Sequence, residues 1–111
     1  MNLQKFILIF FFTTFVFSQN PEALLLQAET SLSNGEITEA EKLYNEAISL
    51  DPSFAPAIQG LSKLFLHKGD LKQANAFSIK AVQADEDYRD WSDKIVQIIE
   101  TMSKAKKSNE G

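Results

Sequence analysis

Side chains able to do covalent or metal chemistry are few in this sequence, and their spacing excludes most of it. The 111 residues contain no Cys and a single His, His67. Without Cys there is no thiolate nucleophile, disulfide, iron–sulfur cluster or cysteine-ligated zinc. One imidazole supplies neither a two-His metal site nor a nucleophile–base relay. The four glycines are scattered, so no Gly-rich loop can cradle a phosphate. The densest set of possible ligands is Asp85-Glu86-Asp87 with Asp90 and Asp93. A calcium loop needs a turn glycine and a terminal bidentate Glu at fixed spacing, and neither is there. Carboxylates around the start of a helix are favoured by its dipole in any case, and Lys104, Lys106 and Lys107 are suited in the same way to a helix end. The sequence predicts no catalysis, no cofactor and no metal.

Charge and hydropathy divide the chain in two. Residues 1–18, MNLQKFILIFFFTTFVFS, hold six of the nine phenylalanines and one charge, Lys5. The apolar run from Phe6 to Phe17 is too short for a spanning helix, which needs roughly 20 apolar residues. It fits the hydrophobic stretch of a secretory signal peptide with a positive flank. Val16-Phe17-Ser18 places acceptable residues before a cut after Ser18, leaving Gln19 first. A retained membrane anchor and a short buried core helix are the other readings of the same run. Export is the expectation, to the periplasm of a Gram-negative bacterium or beyond the cell, with no stable membrane anchor after cleavage. The remainder keeps ten basic against fifteen acidic residues, a mildly acidic balance that does not suit nucleic acid.

A 34-residue shift aligns 21–54 with 55–88. Ala23 then meets Ala57, Leu32 meets Leu66, Gly35 meets Gly69, Ala40 meets Ala74, Ala47 meets Ala81, and Asp51 meets Asp85. Conservative matches, such as Leu43 with Phe77 and Ile48 with Val82, fall between them. Helix punctuation repeats with the same period. Asn20-Pro21 opens a helix that Asn34-Gly35 closes. Thr38-Glu39-Ala40-Glu41 reads as a capping box for a second helix, ending before Pro52. Pro56 opens a third helix that Lys68-Gly69 ends, with His67 near the last carbonyls, and Asp70 with Gln73 begins a fourth. A fifth helix over 88–104 carries Trp91, Ile95, Ile98, Ile99 and Met102 at helical spacing, followed by a polar, frayed tail over 105–111.

These residues resemble the tetratricopeptide repeat, a 34-residue helix–turn–helix unit. In the first unit Ala40, Tyr44, Ala47 and Pro52 stand at the family's places. In the second, Ile58, Leu61, Ser62 and Phe65 stand in the bulky–Leu–Gly–aromatic series. Gln27, Ser31, Ser78 and Glu86 depart from the pattern. The resemblance implies an all-α, right-handed α-solenoid of two repeats closed by a C-terminal capping helix, spanning 19–107. Small residues at Ala28, Ala40, Ala47, Ala74 and Ala81 would let paired helices approach closely.

The resemblance also implies a use. First helices of successive units line a concave groove that holds a peptide or another protein, which here places Leu25, Leu26, Glu29, Gln59, Lys63, Leu66, His67 and Lys94 along it. The variant that clamps a terminal carboxylate has Lys, Arg and Asn where Leu25, Glu29 and Gln59 stand, with Lys63 alone matching, so this groove suits an apolar or basic segment instead. Leu25 and Leu66 can equally be core contacts of a short array, and Trp91 can pack on the preceding helix pair. The expected function is a non-catalytic interaction module of the cell envelope. The alternative is a structural subunit, a homo-oligomer assembled by end-to-end stacking.

Overall fold

In a computed structural model, which describes residues 19–110, the chain is an all-α solenoid. Its helices are α1 (Pro21–Ser33), α2 (Ile37–Leu50), α3 (Ala55–Lys68), α4 (Leu71–Ala84) and α5 (Arg89–Glu110), with a 3-10 turn at Glu86–Tyr88 before the last. Residues 1–18, on which the expected signal peptide falls, lie outside the described part.

Each helix boundary has a local cause. Asn20 Oδ1 accepts the Ala23 N–H at 2.7 Å and Pro21 sits where an N–H would have no partner. Both inter-helix turns close on a left-handed glycine, Gly35 at φ 78° and Gly69 at φ 79°. Asp70 then caps α4 by accepting the Gln73 N–H at 3.1 Å. The expected capping box at Thr38 does not form. The Glu36 N–H donates to the Ser31 carbonyl at 2.9 Å, and the helix begins directly at Ile37. Ile37 packs on the core, which draws the start of α2 towards α1. Glu36 occupies the place of Asp70, but its side chain makes no capping hydrogen bond. At the other end the helix expected to stop at 104 continues to Glu110.

Packing follows the repeat. Ala28 and Ala40 are fully buried where α1 meets α2, as are Ala74 and Ala81 on α4 against α3 and Ala47 on α2. Ser62 takes the place of a small residue at the second crossing, and its hydroxyl donates to the Ala74 carbonyl at 2.7 Å. That bond satisfies a group whose burial would otherwise be costly. The central cluster, which includes Leu24, Leu43, Tyr44, Ala57, Leu61 and Leu64, is drawn wholly from α1, α2 and α3. Beside it Phe65 and Phe77 stack at 5.5 Å, with Lys68 5.2 Å from the first ring and Lys80 4.8 Å from the second. Lys68 also meets Glu41 of the preceding unit at 3.3 Å.

The two junctions between units differ. At the first, α3 buries Ala57, Leu61 and Leu64. Their counterparts on α5 are Trp91, Ile95 and Ile98, and of these Ile98 is 44% exposed. Ser92 and Ile95, at the places of the buried Ile58 and Leu61, are the buried residues of α5, and Ser103, Lys106, Lys107 and Glu110 come beside Gly69–Lys72. The buried face of the closing helix is therefore shorter than that of α3, and the expectation that Ile98 and Met102 belong to it is corrected: Met102 is 39% exposed.

Candidate functional site

The concave side is defined by which helices touch. Helix α1 packs directly on α3. On the opposite side α2 and α4 flank an open cleft of about 350 Å³ lined by Ile48, Pro52, Ile58, Phe77 and Lys80 among others. First helices are thus inside the curve and second helices outside.

The residues expected along the groove separate by burial. Leu26 is 66% exposed, the most exposed large apolar side chain of the described residues. Leu25, one residue earlier, is half-buried and packs against the core cluster. Gln59 and Leu66 on α3 are half-buried, while Glu29, Lys63, His67 and Lys94 are exposed. Neither of the two ion pairs among the described residues, Glu41–Lys68 and Glu86–Arg89, involves Glu29, Lys63 or Lys94. Lys94 stands on α5, which packs chiefly on α4, so the face that joins through direct helix contact is that of α1 and α3.

Tyr44, at a family position, is joined here by Gly60, which the repeat pattern did not single out. Gly60, in the middle of α3, is buried against the Tyr44 ring of α2: a Cβ there would lie 2.6 Å from Tyr44 Cζ and 2.8 Å from Cδ1. Glycine inside a helix is unfavourable by about 1 kcal/mol relative to alanine, so its presence was the available signal of a close approach. Burial, and then the negative charge of Glu29 on α1, raise the Tyr44 hydroxyl above its ordinary pKa. Tyr44 thereby links the outer helix of the first unit to the inner helices of both. At the second junction the corresponding residues are Ser78 and Lys94.

The acidic run is occupied by local structure. Asp85 accepts the Asp87 N–H at 3.0 Å, and Glu86 pairs with Arg89, which lowers the Glu86 pKa through that hydrogen bond. No group of three or more His, Asp or Glu among the described residues could hold a metal ion. Trp91 is half-buried and meets Tyr88 edge to face at 6.2 Å.

A family model described as tetratricopeptide repeat matches residues 31–95, more than half of the chain. The chain belongs to the tetratricopeptide repeat family. The match runs from the last turn of α1 into α5 and leaves out most of α1, where Gln27 departs from the repeat pattern. Tetratricopeptide repeats generally serve as non-catalytic interaction modules that bind other proteins or peptides. No curated protein matches the chain.

Proposed function

We propose that this tetratricopeptide repeat protein is an exported, non-catalytic adaptor of the cell envelope that holds a segment of another protein on the α1–α3 face. The observation that carries the reading is Leu26: it is 66% exposed, one helical turn from the exposed carboxylates Glu22 and Glu29 on the same helix. A fitting segment presents an apolar side chain to Leu26 with a basic residue near Glu22 or Glu29. Export rests on the composition of residues 1–18, and the periplasm is the compartment that suits it best. No helix among the described residues is long and apolar enough to cross a membrane.

The test uses a photo-reactive amino acid placed at Leu26 and, as a control of equal chemistry, at Leu50, which is 56% exposed at the end of the outer helix α2. A protein adduct formed in cells at position 26 and absent at position 50 supports the reading. Equal adducts at both positions, or none at 26, overturn it.

A further inference from the structure

The first helices of the two units bury the same face to different extents. On α3 Ala57, Gly60, Leu61 and Leu64 are all buried, and Gly60 is where the ring of Tyr44 on α2 seats. The same positions of α1 are Ala23, Leu26, Gln27 and Thr30, of which Ala23 is half-buried and the other three are exposed. At i, i+3, i+4 and i+7 they share one face of the helix. By this face a first helix receives the second helix of the preceding unit. We propose that on α1 it docks a basic amphipathic helix of another protein, laid against Leu26 as α2 is laid against Gly60. That rests on the reading that a segment of another protein meets Leu26, and gives the segment a conformation, a place and a charge.

The conformation follows from the repeat. Where this face recurs on α3, a helix packs on it. An extended segment would bring unpaired backbone N–H and C=O groups against a helix that has none to offer, whereas a helix arrives with its own already paired. Side-chain volume then fixes the fit. At the first junction a large ring meets a glycine, but on α1 Leu26 fills the place of Gly60. The residue of the docking helix at the place of Tyr44 is therefore small, such as alanine, with larger apolar side chains one turn to either side. Thr30 does not oppose burial, because its hydroxyl already donates to the Leu26 carbonyl at 2.8 Å.

The charge follows from composition around the face. Residues 19–41 contain five Glu and no Lys or Arg, so this end of the array is acidic throughout. Glu22 and Glu29 lie one turn to either side of Leu26, exposed, and neither belongs to an ion pair among the described residues. Lys or Arg on the adjoining flank of a docking helix is attracted there and sets its register, while an acidic helix is repelled.

The test is photo-cross-linking in cells that express the full chain, with the photo-reactive amino acid at Leu26, Gln27 or Thr30 and, for comparison, at the exposed Lys63 or His67 of α3. The expected result is one protein adduct common to 26, 27 and 30, severalfold stronger than at 63 or 67. Its attachment sites in the partner lie three, four or seven residues apart within a segment of net positive charge. Glu22→Lys with Glu29→Lys lowers the adduct at position 27 severalfold while helical content by circular dichroism stays unchanged. Attachment at every second residue, equal yields from 63 and 67, or indifference to the two charge reversals overturns the docked helix and leaves Leu26 a contact. No protein adduct at 26 removes the underlying reading as well. Adducts to residues 1–18 of the same chain, or to a second copy of it, overturn the proposal and identify that occupant instead.

Discussion

Gly60 and Tyr44 show how much of this solenoid depends on single atoms. The ring occupies the space that any side chain at position 60 would need, and both residues are buried. Gly60→Ala is expected to lower stability by roughly 1–3 kcal/mol despite the better helix propensity of alanine, because overpacking outweighs it. Thermal melts should show the loss, and Tyr44→Leu should recover part of it. The Tyr44 hydroxyl gives a second handle. Its raised pKa keeps it protonated in the folded chain while the unfolded chain ionises near the ordinary value of 10.0. This contribution is fully present below that pH and is lost as pH rises through the folded pKa. Tyr88 is also raised, by burial and by Asp85, so the measurement belongs in Tyr88→Phe, where tyrosinate absorbance reports Tyr44 alone. In that background Glu29→Gln should move the titration to lower pH, and no movement would separate Glu29 from Tyr44.

At the scale of elements, the crossings rest on buried alanines. Ala47 is fully buried in the central cluster, so Ala47→Leu is expected to cost roughly 1–3 kcal/mol, read from chemical denaturation; an unchanged midpoint would mean the helices meet elsewhere. The repeat made these positions legible in advance, because a 34-residue shift superimposes alanines only where two helices press together. The same regularity misled at α5. Continuing the register gives its Trp91, Ile95 and Ile98 the role of Ala57, Leu61 and Leu64, yet the bulkier Trp91 and Lys94 stand at the places of Ala57 and Gly60, and Ile98 is left 44% exposed where Leu64 is buried. Side-chain volume at a junction is a tertiary quantity, invisible to spacing alone. The capping box failed for a related reason: Thr38 satisfies the local pattern, but burial of Ile37 and closure of the preceding turn on Gly35 decide where α2 begins. Of the two readings that the sequence left open for Leu25, the core contact is the one that forms, whereas nothing in the pattern signalled that the charge of Glu29 acts on Tyr44.

For the molecule as a whole, export makes a direct expectation: mass spectrometry of the protein recovered from the cell envelope finds Gln19 at its N-terminus, and recovery of an intact Met1 species from the cytosol would contradict it. The array also has unequal parts. Its central cluster joins α1, α2 and α3, the first junction adds the Tyr44 ring against Gly60, and Glu41 ties to Lys68 across the same boundary. Helix α5 buries only Ser92 and Ile95. A linear array whose links differ in strength opens from its weaker end. Backbone amides of α5 should therefore exchange with deuterium soonest and those of α2 and α3 last, with α4 between. A chain that melts in that order can release its C-terminal helix while the α1–α3 face stays intact, so occupancy of that face does not require the last helix to be docked.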